Sequence, residues 1–312
     1  MMLEATLALK ATQTARDGPI ALNAFCDWLE ASLLFGESSS LSLPEVVELL
    51  VEEELCDCQA EAWTVVADAK RQLHQRARLL RRGYPVAIGD TRLRRKSTWR
   101  QVPAYAFCLL LSMRGLYRER FRDLGADFTE QGELFEALTH SALVKILGGW
   151  IIHRTGWSRT TPVRIREVVE KITELLGEPY GDVARWVPLN AKDAGLDILC
   201  FRPFRDARAG IPVYLVQCAS GLDWEHKLTT PNIDVWVRLI QFAVNPRRAF
   251  ATPLSFRDDE FSRHAVRVAG LLLDRYRLLE PMTSPRPWIA RELGRRMQRW
   301  TALKVLALPW SE

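Results

Sequence analysis

A change of period near Ala184 constrains this chain more than any other feature. Before it, apolar residues recur at three-to-four spacing, the mark of helices that bury one face. After it come three short apolar runs, 185–189, 196–201 and 212–217, separated by turn formers that include Arg208-Ala209-Gly210. Runs of that length bounded by turns are what strands of a packed sheet require. A helical pattern resumes over 233–242, yields to a strand-like run at 248–252, and returns as one long helix over 258–279. The order helix, three strands, helix, strand, helix predicts an α/β mixed sheet flanked by helices.

Residues 1–128 read as a mainly helical N-terminal domain, with helices over 20–34, 44–54, 60–82 and 105–116. Within it, GYPVAIGDTRLRRKSTW has the turn formers and alternating apolar positions of a short strand pair. Thr129 opens the second domain, 129–280, with one amphipathic helix from Glu130 to the Gly148-Gly149 pair. A further helix, 162–176, is closed by Gly177. Residues 281–312 form a basic helical tail, its helix over 288–306.

With 312 residues, 48% of them hydrophobic, the chain can bury a substantial core. It has no apolar run of about 18 residues, so no membrane span is expected. Its first residues lack the charged start, apolar middle and cleavage site of a secretory signal, and a cytoplasmic location is expected. The six cysteines show no CxxC pair, and the one-residue gap of Cys56-Asp57-Cys58 does not suit a zinc knuckle, so reduced thiols are expected. Neither a GxxxxGK[ST] loop nor an HExxH pair occurs, which excludes the common NTPase and zinc-protease chemistries. The net charge of +5 rests on arginine, dense over 76–82, 92–100, 114–122 and 291–299. Such runs make either solvated helix faces or a surface that tracks phosphates.

Chemistry concentrates around Asp193 and Asp197 in KDAGLD and the run Val216-Gln217-Cys218-Ala219. A carboxylate at the edge of one strand beside polar groups on the next offers oxygen ligands to a hard divalent cation. Asp197, followed by Ile198-Leu199-Cys200, projects at the sheet edge on this reading; the alternative is an aspartate that only enters a strand after a glycine turn. Asp193 reads as a turn cap or a second ligand. Glu136 borders the stripe Leu134, Phe135, Leu138, Leu143, as a flank carboxylate or an acid facing the metal.

The GELFE segment at 132–136, the D-x-G-x-D of 193–197 and the strand ending in Gln217-Cys218-Ala219 together resemble the PD-(D/E)xK nuclease superfamily, and within it Mrr-type restriction endonucleases and related bacterial defence nucleases. The resemblance spans about 131–279. It implies a restriction-endonuclease-like fold, with Glu136 as the helix carboxylate, Asp197 as the principal metal ligand, Gln217 at the Glu/Gln position and the Cys218 backbone carbonyl as a further ligand. It implies Mg²⁺ as cofactor, and so short an anionic set makes Mn²⁺ a workable substitute. The implied activity is endonucleolytic hydrolysis of DNA in anti-phage defence, with RNA not excluded and a protein partner in the same system. A homodimer would bring two sites to opposite strands.

The family's lysine two residues after the Glu or Gln is Ala219 here. Alanine neither stabilises charge at phosphorus nor orients the attacking water. Lys227, in SGLDWEHK, is the first candidate to replace it and Lys192 the second. The competing class is a catalytically degenerate nuclease-fold module that binds nucleic acid or scaffolds a defence complex. Cys218 with His226 could make a nucleophile and base, without a recognisable third group. Trp157, Trp224 and Trp236 serve either base stacking or core packing.

Overall fold

The computed structural model describes residues 2–4, 9–10, 21–117, 128–155, 164–186, 194–306 and 308–310, with only the backbone at 128–129. The chain divides into two compact units. One comprises Met1–Ala126, Pro253–Arg257 and Met282–Glu312, the other Asp127–Thr252 and Asp258–Pro281. The C-terminal helix, expected as a basic tail, thus groups with the first unit. None of the described helices is long and apolar enough to cross a membrane.

The first unit is mainly helical: α1 (Leu22–Phe35), α2 (Leu43–Glu52), α3 (Gln59–Leu80) and α4 (Pro103–Met113). A small antiparallel sheet joins them, with β3 (Arg92–Arg95) between β1 (Ser40–Ser42) and β2 (Val86–Ile88). The strand pair foreseen in GYPVAIGDTRLRRKSTW therefore forms. The helix Arg291–Val305 packs on α4, where Phe107 and Trp300 meet edge to face at 5.0 Å. Both α1 and α4 are apolar around most of their circumference and lie buried, as such helices must.

That burial carries Asp27 and Glu30 of α1 into the core, where uncompensated carboxylates cannot stay ionised. Arg76 of α3, fully buried, meets both: 2.7 Å to Asp27 Oδ1 and 3.1 Å to Glu30 Oε1. It also donates to the Ser255 hydroxyl at 2.9 Å. Tyr84 and Tyr105 donate to the two Glu30 oxygens at 2.6 and 2.7 Å, and Ser112 to Asp27 Oδ2 at 2.7 Å. Burial, then the Glu30 charge, pushes the Tyr84 hydroxyl well above its ordinary range. Arg76 opens one of the dense arginine runs, yet it is a core cation and not part of a solvated or phosphate-tracking face.

The second unit starts with α5 (Phe128–Ile146), then β4 (Ile151–Arg154), α6 (Ile165–Leu176), a short α7 (Val183–Trp186), β5 (Ile198–Phe201), β6 (Val213–Cys218), α8 (Ile233–Leu239), β7 (Arg247–Ala251), α9 (Asp258–Val268), β8 (Leu271–Leu273) and α10 (Arg275–Leu278). Its sheet has the order β4-β5-β6-β7-β8. The pairs β4–β5 and β5–β6 are antiparallel; β6–β7 and β7–β8 are parallel. The chain is thus α/β, with a helical N-terminal part and a mixed five-stranded sheet flanked by helices.

Two sequence expectations fail. The run 185–189 is not the first strand: Arg185 and Trp186 lie in α7, where the Arg238 guanidinium covers the Trp186 ring at 4.2 Å, and 187–189 fall outside the described residues. The first strand is β4, in what reads as a connection; Gly149, at φ +82°, turns the chain out of α5 directly into it. Nor is 258–279 one helix. The chain breaks at Ala269 and Gly270, where a Cβ on Gly270 would lie 2.1 Å from the Arg248 carbonyl oxygen. That close approach lets Leu271–Leu273 pair in parallel with β7.

Residues Ile165, Val168, Ile172, Trp236 and Leu239 from α6 and α8 cover the sheet face formed by Leu199, Phe201, Val213 and Leu215. Alternation sends Val216 and Cys218 to the opposite face, where Cys218 bonds with Thr139 of α5. Asp197, Cys218, Thr252 and Asp274 therefore share one sheet edge. Asp274 caps α10, accepting from the Arg277 amide at 3.0 Å. Burial pushes its carboxyl up to about 6, against the pull of that hydrogen bond and of Arg277 and Arg275.

Replacing Arg76 by alanine leaves two buried carboxylates without their cation and should cost about 3–5 kcal/mol in urea denaturation. Asp274, with its native carboxyl raised, costs stability above about pH 6 and none below the unfolded value of 3.8. As pH rises between those values, the stability of wild type relative to Asp274→Asn should fall, by on the order of 3 kcal/mol; parallel pH profiles would disprove the shift.

Candidate functional site

The site begins with the turn before β5. Ala194 and Gly195 both take positive φ, 47° and 75°, and a Cβ on Gly195 would lie 2.0 Å from Thr230 Cγ2 and 3.2 Å from Gln217 Oε1. Glycine is required there for its conformation and for space. The turn sets Asp197 at the mouth of β5 with its backbone engaged on both sides: its N–H donates to the Val216 carbonyl and its carbonyl accepts from the Thr155 N–H, each at 3.0 Å. Its carboxylate bends toward β6, where Oδ2 accepts from the Cys218 N–H at 2.6 Å and from Gln217 Nε2 at 2.5 Å. Gln217, 7% exposed, also donates Nε2 to the Cys218 carbonyl at 3.1 Å. An aspartate oxygen and a main-chain oxygen therefore converge on one point.

The other half of the site comes from α5 and β4. Arg154 Nε donates to Glu136 Oε1 at 2.6 Å. The Cys218 thiol is pushed well above the ordinary thiol range by burial and then by the Asp197 and Glu136 charges. Both carboxylates thus bear on the same residue, and their field opposes a thiolate. Cys218 is not placed to act as a nucleophile. Gln131 of α5 donates to both the carbonyl and the hydroxyl of Ser220 at 3.1 Å, tying down the segment that leaves β6.

Ala219 is buried and continues the β6–β7 pairing, its N–H donating to the Ala251 carbonyl at 2.8 Å. Lys227 ends a 3-10 turn, Trp224–Lys227, on the loop that runs from Ala219 to Thr230. Its carbonyl accepts from the Thr230 N–H at 2.9 Å, and its ammonium pairs with Asp223 at 3.6 Å, half exposed. Asp197, Gln217 and Cys218 thus come together, with the Glu136 charge bearing on Cys218, whereas Lys227 lies on the loop after β6 with its ammonium held by Asp223. Trp236 is core, and Trp224 packs edge-on against His264 at 5.0 Å. Lys192, Asp193 and Trp157 lie outside the described residues.

Arg154, Thr155, Thr139, Gln131 and Thr230 escaped the sequence. Thr139 was the most accessible of them, since residues three apart on a helix share a face and Glu136 already marked it. Asp197, Glu136 and the Cys218 carbonyl are oxygen donors of the kind a hard divalent cation takes, while the Gln217 amide presents its nitrogen to Asp197 and to the Cys218 carbonyl. The set holds two carboxylates, and among the described residues no group of three or more His, Cys, Asp or Glu is placed to hold a metal. In kind, carboxylate and carbonyl oxygens are what Mg²⁺ and Mn²⁺ take.

Gly195→Ala should destabilise the protein by about 1 kcal/mol or more, and adding Thr230→Gly should recover the part due to the clash; thermal unfolding of the single and double variants checks this. No family model matches the chain, and no curated protein and no solved structure matches it.

Proposed function

We propose that the second unit is a metal-dependent nuclease of the PD-(D/E)xK type, with a restriction-endonuclease-like fold, that hydrolyses phosphodiester bonds in DNA. The observation that carries this reading is the convergence of Asp197, Gln217 and the Cys218 carbonyl at one sheet edge, with Glu136 supplied by the helix before the sheet. The strand pairing supports it in part: β4, β5 and β6 pair antiparallel and β7 adds in parallel, although α6 and α7 separate β4 from β5 where the resemblance implies three consecutive strands.

On this reading Asp197 is the principal ligand, aimed by the Cys218 N–H so that its negative charge stays at the edge whether or not substrate is present. Glu136 and the Cys218 carbonyl complete the oxygen set, and Gln217 steers the Asp197 carboxylate. A bound Mg²⁺ or Mn²⁺ would supply charge neutralisation at a phosphate oxygen and a more acidic water. Lys227 takes over the role of the missing lysine by releasing Asp223 and reaching the scissile phosphate. Exposed Arg92 and Arg94 on β3 add sequence-independent attraction for a polyanion. A role in phage defence with a protein partner follows from the same resemblance, and a homodimer would bring two sites to opposite strands.

The Lys227–Asp223 pair also favours a second reading, a degenerate module that binds nucleic acid without cutting it. A supercoiled-plasmid nicking assay in Mg²⁺, Mn²⁺ and EDTA separates the two. Metal-dependent nicking that drops about a hundredfold or more in Asp197→Ala and in Lys227→Ala, with DNA binding retained, is the expected result. No nicking by wild type in either metal would favour the binding module, and full activity in Lys227→Ala would remove that lysine from the site.

A further inference from the structure

The cation that stands against the site is Arg154. It opposes Ile198 across the β4–β5 pairing, one residue from Asp197, and its neighbour Thr155 donates to the Asp197 carbonyl. Alternation sends its side chain off the sheet on the face of Val216 and Cys218, where it meets Glu136 at 2.6 Å. The partners are unequally exposed, 12% for the Glu136 side chain and 39% for Arg154. The bond uses Nε, and a guanidinium carries five N–H donors, so its outward edge can receive a second anion.

This pair has two consequences. A Glu136 oxygen that accepts from a guanidinium is not offered to a cation. The guanidinium itself is the side chain best shaped to grip a phosphate through two donors, and its own exposure, 39%, leaves it open to an anion arriving from solvent. We infer that Arg154 is a positioning residue that couples nucleic-acid binding to metal binding: it holds Glu136 while no nucleic acid is present, and turns to a backbone phosphate when one arrives, freeing Glu136 for the cation. The inference rests on the nuclease reading, because it takes a divalent cation and a phosphodiester as the two ligands. Linkage then requires each ligand to tighten the other by the same factor.

Mn²⁺ binding to the full chain, followed by electron paramagnetic resonance with and without a phosphorothioate-protected DNA duplex, tests it. Wild type should bind Mn²⁺ about tenfold tighter with the duplex. Arg154→Met should bind more tightly than wild type without DNA and keep only the smaller gain that a phosphate touching the cation supplies directly, and Arg154→Lys should fall between the two. Glu136→Gln should match wild type without DNA and show the same reduced gain. A DNA-induced gain in Arg154→Met as large as in wild type overturns the coupling and leaves the metal site standing. Wild type that binds no Mn²⁺ in either state overturns the metal-dependent reading and this inference together.

Discussion

The β5–β6 ladder ends on a side chain instead of a carbonyl, and the geometry of the candidate site hangs from that substitution. Where β5 turns away at Ala194-Gly195, the next N–H of β6 belongs to Cys218, and a main-chain donor inside a protein needs an acceptor. Asp197 Oδ2 supplies it. The same oxygen takes the Gln217 amide, so one structural demand fixes the direction of a charge and of its polar neighbour. Fold and chemistry ask the same thing of Asp197. Its carboxylate is oriented before any ligand arrives, which is what preorganised electrostatics requires.

The helical unit solves a different problem with the same physics. Its α1 helix places two acids among apolar neighbours, and the single guanidinium of Arg76 with three hydroxyl donors answers them. A network so enclosed specifies how α1, α3 and α4 must meet, because a shifted register would strand a charge. At the second unit's sheet edge, by contrast, Arg154 and Glu136 pair while partly exposed, so water reaches this pair as it does not reach Arg76.

What the sequence made legible follows from local physics. Asp197 and Gln217 could be placed beside each other because two apolar runs bracketed a turn, and antiparallel pairing of such runs sets their first and last residues together. Edge strand β4 could not be found in this way: four residues ending in His153-Arg154 carry no alternating pattern, and the strand's partner lies more than forty residues away. Leu271–Leu273 satisfies helix and strand equally well, and only the backbone contact at Gly270 decides between them. Arg76 looked like part of a surface run because burial of a cation leaves no mark on its own neighbours in sequence. Its mark lies on α1, where two acids sit in a helix with hardly any polar face.

The path of the chain through the two units has a consequence for synthesis. The first unit takes in Pro253–Arg257 and Met282–Glu312, so the second unit is an insertion within it. A ribosome releases every strand of the five-stranded sheet before it releases Trp300, the partner of Phe107, or Trp310, which pairs with Leu3. Domains fold largely as their residues emerge. The part of the molecule that begins first is therefore finished last, and its apolar helix α4 spends the interval without its C-terminal cover. A nascent chain of this kind exposes its helical unit, not its sheet, to chaperones.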